Sequence, residues 1–413
     1  MTVPETGTTA DRFPAAPGTV GRGLLPLLFL GNAAMFALYM GVGSVLLPLQ
    51  IEHIDPSSKV TNLGIVAGVA AIFATVCNPV AGALSDHSGR RNPWILGGGL
   101  AAIAAMALLG SVHTVLLVAI AWCLGQATMN VYQAALTSVV PDRVPRSRRG
   151  AASAAVGLGI PVGSAVGVVV ASAFSEHLRI GYLVLGLLVA AAAVLFTAGA
   201  RDVPLPPQEP SPLGSQVRMF LEVLREHDFR WAFIGRTCLV LGYFAVTGYQ
   251  LYILQDHIHL PAGLKPEHAV AILAPLGAVT MAISTVTGGV LSDKFDRRKV
   301  FVAAAAVLAA IALVIPVFSP TWPAMLVFAA LNGLAFGCFI AVDTALVTMV
   351  LPKAEHAARD LGVLNIANAG PQILAPFVAS AVVSLIGYTP LFLIGGALAI
   401  LGALAVAPIR SVR

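Results

Sequence analysis

The chain has 413 residues, of which 58% are hydrophobic and only 10% charged, and its formal net charge is +5. Soluble globular domains carry about 25% charged residues, so this chain could not cover its own surface in water. The basic excess does not indicate a nucleic-acid partner, because no basic stripe is interleaved with aromatic side chains.

The N-terminal residues 1–21 are polar and rich in Pro and Thr, and we expect them to form a disordered cytoplasmic tail. They lack the basic start and apolar core of a signal peptide. Twelve apolar runs follow, each long enough to cross a bilayer as a helix of about 20 residues. The predicted spans are 24–49, 60–84, 93–111, 114–140, 150–174, 180–199, 231–255, 268–291, 299–317, 322–351, 358–386 and 388–408.

A Pro-rich segment, residues 201–230, separates the sixth span from the seventh and closes with an amphipathic piece, Val217–Glu226. We expect a cytoplasmic linker with a short helix at the membrane surface. The predicted organisation is therefore an N-terminal six-helix half (22–200), this linker, and a C-terminal six-helix half (231–413).

The basic residues predict the orientation. With the N-terminus in the cytoplasm, 21 of the 24 Lys and Arg residues fall on the cytoplasmic side, and only Lys59, Arg179 and Lys265 fall outside. Cytoplasmic loops of membrane proteins carry such an excess of basic residues. The sequence predicts a multi-pass protein of the cell membrane with both termini in the cytoplasm, and we expect a monomer.

The two halves repeat each other. "GALSDHSGRR" (82–91) matches "GVLSDKFDRR" (289–298), and "VYQAALTSVVP" (131–141) matches "VDTALVTMVLP" (342–352), both at nearly the same offset. A third match, "GLGIP" (157–161) with "ANAGP" (367–371), lies in the fifth span of each half. Three matches in the same order indicate a duplicated unit.

Twelve spans, two matching halves and a repeated "G-x-x-x-D-x-x-G-R-R" loop resemble the major facilitator superfamily. The resemblance implies an all-α membrane protein whose two pseudo-symmetric six-helix halves rock around a site near the membrane midplane. It also implies that the loops latch the halves together in the outward-facing state, and Asp86 could cap the helix predicted to start near Ala358. The latch residues are Gly82, Asp86, Gly89, Arg90 and Arg91 in the first copy, and Gly289, Asp293, Arg297 and Arg298 in the second, where Asp296 replaces the second glycine.

Asp343 is the only one of the 19 acids that lies in the interior of a predicted span. It stands nine residues before Pro352, or about 13 Å along a helix, close to the membrane midplane. A charge at that depth is costly, so either Asp343 exchanges a proton or binds a cation or hydroxyl in the cavity, or it fixes a contact between helices. The only base within a span, Arg236, could form an ion pair, extend to the membrane surface or contact the substrate directly.

Uncharged polar residues occur in spans one, four, seven, ten and eleven; the resemblance implies that the first four of these spans face the central cavity. For any one of these residues, contact between helices is as plausible as contact with a substrate. By the repeat offset, Tyr132 corresponds to Asp343, so both could face the same cavity. The candidates for substrate binding are Asn32, Tyr39, Gln126, Asn130, Tyr132, Gln133, Tyr243, Tyr249, Gln250, Asn332, Asn365, Asn368 and Gln372.

Amides, phenols and one acid suit a neutral, hydroxyl-rich solute. "SGRRNPWILGG" (88–98) and "AVDTALVTMVLP" (341–352) are also similar to the branch that contains glycoside–cation symporters and plant sucrose transporters. We therefore predict a secondary transporter, most simply a proton-coupled symporter of a sugar or glycoside. The alternative is a proton-coupled exporter of drugs or metabolites, although "IPVGSAVG" (160–167) departs from the glycine pattern of exporters. No catalytic constellation is visible, and we expect neither an enzyme nor a cofactor.

Overall fold

The computed structural model describes residues 23–202, 226–350 and 357–409, and the side chains of residues 146 and 344–368 are outside that description. The predicted Val217–Glu226 helix lies almost wholly outside it, and so do the N-terminal tail and the side chains of Asn365 and Asn368. The helices are α1 (Leu24–Gly41), α2 (Leu47–Ile54), α3 (Lys59–Ser88), α4 (Asn92–Leu109), α5 (Val115–Arg143), α6 (Arg149–Ala173), α7 (Leu178–Gly199), α8 (His227–Thr247), α9 (Gln250–Asp256), α10 (Pro266–Phe295), α11 (Arg298–Phe318), α12 (Trp322–Val350), α13 (Ala357–Ile386) and α14 (Tyr388–Val406).

Within the described residues, twelve helical segments are long and apolar enough to cross a membrane. This confirms the predicted all-α fold with twelve spans. The first span is made of α1 and α2, joined without a break by a π-helical turn at Val42–Leu46. The seventh span differs from the prediction, because α8 begins four residues earlier, at His227, and stops at Thr247 before the short helix α9.

Each half packs mainly against itself. In the first half α1 packs against α6, α3 against α5, and α4 against α7; in the second, α8 packs against α13 and α14, and α10 and α11 pack against α12. The halves meet where α3 contacts α13 and where α6 contacts α10. The sequence repeat relates these two contacts to each other, since α3 corresponds to α10 and α6 to α13.

Glycines bring α1 and α6 unusually close together. A Cβ added at Gly163 would lie 2.1 Å from the Ala33 carbonyl oxygen, and one at Gly167 would lie 2.0 Å from the Ala37 carbonyl oxygen. Only glycine fits against a neighbouring backbone at such distances. Small residues allow this approach in membranes, where packing between helices replaces the hydrophobic effect.

The bundle has two chemically different ends. One end, called the basic end below, carries the two copies of the repeated loop, with Arg91 and Arg298. The opposite end carries Lys59, Arg179 and Lys265. At the basic end both copies of the loop turn through a left-handed residue, Gly89 with φ of 62° and Asp296 with φ of 49°. Aspartate tolerates this conformation better than most residues, so the second copy keeps the turn without a glycine.

Candidate functional site

Asp343 faces a neighbouring helix of its own half. Its side chain, on α12, is 5% exposed, and Oδ2 lies 3.4 Å from Nε of Arg236 on α8, whose side chain is 11% exposed. Phe339 and Val342 beside Asp343 are also buried, so the surroundings of the Asp343–Arg236 pair are apolar. Within the described residues, Oδ2 of Asp343 has no hydrogen-bond partner. The two charges are therefore close, and the Asp343 oxygen that faces Arg236 accepts no hydrogen bond from a described residue.

The first half has a neutral contact at the equivalent place. The buried hydroxyl of Tyr132, on α5, donates to the Gly31 carbonyl oxygen on α1 at 3.2 Å. Since α5 and α1 correspond to α12 and α8, the repeat has an uncharged hydrogen bond where the second half has the Asp343–Arg236 pair. Tyr132 and Asp343 thus make their polar contacts in separate halves, and the structure does not bring them together.

Two further candidates lie inside the second half. Tyr243 stacks on Phe336, with ring centroids 3.7 Å apart and an interplanar angle of 8°. Tyr243 and Asn332 also line a cavity of about 10 Å³ between α8, α11, α12 and α14, roughly the size that holds one water molecule. These two residues therefore line the interior of the helix bundle of their own half.

Two candidates of the first half are satisfied by their own helices. The Asn32 amide donates to the Leu28 carbonyl oxygen at 2.8 Å, and the Asn130 amide donates to the Gln126 carbonyl oxygen at 2.8 Å. Both side chains are buried. These amides stabilise the packed interior, which is one of the two roles that their positions predicted.

The glutamines are more available. Gln126 and Gln133 are half-buried and lie seven residues apart, so they share one side of α5. That side differs from the side of Tyr132, which faces α1. Gln250 is also half-buried, at the start of α9, and Gln372 on α13 is exposed. Half-buried Tyr39 on α1 packs edge-on against Phe36, with centroids 6.3 Å apart.

The halves are joined at the opposite end by tyrosines of the seventh span. The Tyr249 hydroxyl lies 3.1 Å from the Val60 carbonyl oxygen of the first half and 3.2 Å from the Pro376 carbonyl oxygen of α13. The buried Tyr252 hydroxyl donates to the Pro48 carbonyl oxygen at 2.8 Å. Tyr249, a candidate for substrate binding, is thus 2% exposed and used in this contact.

Lys59 is the centre of an ionic network in the same place. Its Nζ lies 3.0 Å from Glu52 of its own half and, across the interface, 2.9 Å from Asp256 and 3.1 Å from the Gln255 side chain. Asp256 also accepts from the Tyr388 hydroxyl at 2.7 Å. Sequence reasoning missed these residues because it treated them as surface charges. Lys59 is nevertheless one of only three basic residues predicted outside the membrane, where five acids also lie. That excess of acids could have indicated that Lys59 forms ion pairs.

Close packing between α3 and α13 completes this contact between the halves. We call the whole contact the closure; it comprises Tyr249 and Tyr252, the network around Lys59, and this packing. A Cβ added at Gly64 of α3 would lie 2.3 Å from Ser380 Cβ, and one at Gly68 would lie 2.2 Å from the Phe377 ring. The Ser380 hydroxyl donates to the Val60 carbonyl oxygen at 3.3 Å. All hydrogen bonds and ion pairs that two described residues make across the halves lie at this opposite end.

The first latch loop makes its contacts within its own half. The Arg91 side chain is 6% exposed and lies 2.6 Å from Asp86, 2.8 Å from Asp142 and 2.9 Å from the Ser85 hydroxyl. Burial opposes the charge of Arg91, but the hydrogen bonds with Asp142 and Asp86 outweigh it and raise the pKa of Arg91. Asp142 was missed as a member of this cluster, and the signal was its position beside Arg143 at a span end.

The second loop repeats one contact of the first. Arg298 lies 3.0 Å from Asp293, whose side chain is 66% exposed. The position that corresponds to Asp142 is Lys353. Arg90 and Arg297 are exposed; no described atom lies within 4 Å of a Cβ added at Gly82, and only one, at 3.9 Å, lies within 4 Å of one added at Gly289. Residues 351–356, which precede the helix near Ala358, lie outside the description, so the capping of that helix by Asp86 stays a prediction.

The arrangement suits a change of shape. It combines a closure of hydrogen bonds and ion pairs at one end with a charged pair inside one half. Within the described part of the chain, no group of three His, Cys, Asp or Glu side chains could hold a metal ion.

Comparisons with known proteins agree with this architecture. The sequence model of the Major Facilitator Superfamily matches residues 28–288 and 264–412. The MFS transporter asaE of Aspergillus flavus is 23% identical over 355 residues, covering 84% of this chain and 76% of that protein. The MFS-type transporter opdF of Penicillium oxalicum is 25% identical over 423 residues, covering 98% and 95%.

Solved structures show the same fold. A POT family transporter in complex with 5-aminolevulinic acid superposes with a TM-score of 0.75 at 13% identity, covering 93% of this chain and 95% of that one. A bacterial homolog of the human lysosomal transporter Spinster, in an inward-facing and unoccupied conformation, gives 0.68 at 15% identity, covering 94% of both chains.

Proposed function

Because the chain belongs to the major facilitator superfamily of membrane transporters, we propose that it carries a small neutral solute, such as a sugar or glycoside, together with a proton. The observation that carries the proposal is the buried Asp343–Arg236 pair. These are the only acid and base in the interior of the predicted spans, and they are engaged with each other. The spans therefore offer no spare charge to an ionic solute, whereas the amides of Gln126 and Gln133 can bind hydroxyl groups.

The pair also supports proton coupling. Burying two charges is costly, and their attraction offsets that cost only while both are charged. Protonation of Asp343 would remove the attraction between Asp343 and Arg236 and weaken the hold of α12 on α8. The proton would therefore change how two helices of the second half pack. The motifs at residues 88–98 and 341–352 support a sugar or glycoside as the solute, because they are similar to the glycoside–cation symporter branch.

The seventh span could pass this change to the closure. Arg236 lies in the middle of α8, and Tyr252, Gln255 and Asp256 lie on α9, 16 to 20 residues further along the chain. The chain breaks between them at Gly248 and Tyr249, where α8 ends and α9 begins. Loosening α8 at Arg236 would reposition α9 and release the closure, which is one half of an alternating-access cycle.

The distribution of basic residues supports an orientation of the bundle in the membrane. With the basic end and both termini in the cytoplasm of a cell, the closure lies outside, and this conformation is inward-facing. The partners of the protein are then the solute, the proton and the lipid bilayer, with no nucleic acid, and one chain suffices as a monomer because the two halves together form the path.

The test is uptake into vesicles with an imposed proton gradient. A panel of mono- and disaccharides should include a solute that accumulates with the wild type. Asp343→Asn should abolish accumulation against a gradient and retain exchange of solute for solute. The matched control is Tyr132→Phe, because it removes only the neutral hydrogen bond at the equivalent place and should retain accumulation. Wild-type accumulation by Asp343→Asn would contradict the coupling role.

Export remains the alternative outcome of the same assay. Its motif region lies in α6, where Gly163 and Gly167 pack on the backbone of α1. Packing alone explains these glycines, so they do not favour export. If no sugar is taken up, but deleting the protein increases susceptibility to drugs across a broad panel, the exporter is the better assignment.

A further inference from the structure

His257 lies beside the closure without taking part in its hydrogen bonds. It follows α9 directly, and its ring centroid is 6.1 Å from that of Tyr388 and 6.2 Å from that of Phe392, both on α14. Its Nε2 atom is buried and has no hydrogen-bond partner among the described residues. A partly buried imidazole packed beside aromatic rings is accommodated as the neutral form, because the charged form needs water or a carboxylate.

The charged and titratable groups around His257 do not provide that carboxylate. Asp256, its neighbour in sequence, has one oxygen 2.9 Å from Nζ of Lys59 and accepts from the Tyr388 hydroxyl with the other. His259 adds a repulsive interaction. Burial in the first place, and then His259, lower the pKa of His257.

We propose that His257 senses acidity at the opposite end of the bundle and that its protonation opens the closure. A charged imidazole would draw water between its ring and Tyr388. Tyr388 would then move away from Asp256, which would weaken the bond of Asp256 to Lys59 in the other half. This inference is independent of proton coupling at Asp343, because the two groups lie on different helices and at different depths.

The direction follows from linkage. The closed form holds His257 neutral, whereas the open form exposes it to water, where a histidine has a pKa of about 6.5. The open form therefore binds the proton more tightly, and acid stabilises it relative to the closed form. The shift toward the open form begins as the pH falls through about 6.5 and grows until the closed form also binds a proton.

The experiment measures the width of the opposite end directly. Spin labels at Ser111→Cys in the first half and Ala262→Cys in the second, both exposed sites, report the distance between the halves. The four native cysteines are first replaced by serine. Pulsed EPR is recorded on the full-length protein at a pH of about 8 and about 5, on either side of the ordinary histidine value. The distance distribution should shift to longer distances at the lower pH.

Two variants of His257 decide the assignment. His257→Gln should remove the pH-dependent shift, and so should His257→Phe, which keeps the packing on Tyr388 if the glutamine variant folds poorly. The matched control, His259→Gln, should keep the shift, because His259 is exposed. Because protonation of Asp343 would also release the closure, each comparison is made in the Asp343→Asn background, where that group cannot titrate and the shift should remain. The proposal is overturned if the Asp343→Asn parent shows no shift, or if the shift persists in both His257 variants made in that background.

Discussion

The Gly64→Ala variant would place one methyl group in a tight contact of the closure, where α3 packs against α13. The added Cβ would lie 2.3 Å from Ser380 Cβ and 2.8 Å from the Tyr249 hydroxyl. Carbon atoms pack best about 3.5–4.0 Å apart, so α3 and α13 would have to separate by about 1 Å. Such overpacking costs about 1–3 kcal/mol. The closed-to-open ratio should fall by about 5- to 150-fold.

Cysteine cross-linking measures this ratio. The hydroxyl oxygens of Thr61 and Ser384 lie 3.1 Å apart across the halves, so Thr61→Cys/Ser384→Cys should form a disulfide only while the end is closed. Adding Gly64→Ala should slow the cross-link and lower its yield. Gly97→Ala is the control, because no described atom lies within 4 Å of the added Cβ. If Gly64→Ala cross-links as fast and as completely as the parent, the closure is not the packed contact that we describe.

Three further variants test the charged clusters. Arg91→Ala should lower the free energy of unfolding by about 3 kcal/mol, because it leaves Asp86 and Asp142 without their buried basic partner. The neighbouring variant Arg90→Ala, at an exposed side chain, should cost about 1 kcal/mol or less. Equal losses in chemical unfolding would contradict this. Lys59→Ala should weaken the closure by about 1–3 kcal/mol, and an unchanged yield in the cysteine cross-linking assay would show that the network contributes nothing. Arg236→Ala should destabilise the protein more than Arg236→Ala/Asp343→Ala does, because the single variant leaves an unpaired buried charge; a less stable double variant would argue against the pair.

By itself, the sequence determined the number of spans and their approximate ends. This was possible because a segment in hydrocarbon must satisfy its own backbone hydrogen bonds, so each span is recorded locally as an apolar run of about 20 residues. The repeat and the distribution of basic residues are also local signals. They were enough to predict two matching halves and to single out Asp343 and Arg236 as the charges within the spans.

Only the tertiary structure decided what the polar side chains touch. The sequence left open whether Asp343 faces the cavity or a neighbouring helix, and the structure pairs it with Arg236. Lys59 and Asp256 are 197 residues apart and meet across the halves. Whether a polar residue faces a cavity, a neighbouring helix or the other half depends on helix rotation and on how the halves are tilted. Those are set by packing between distant segments, such as the fit of Gly64 against Ser380, which no local pattern records.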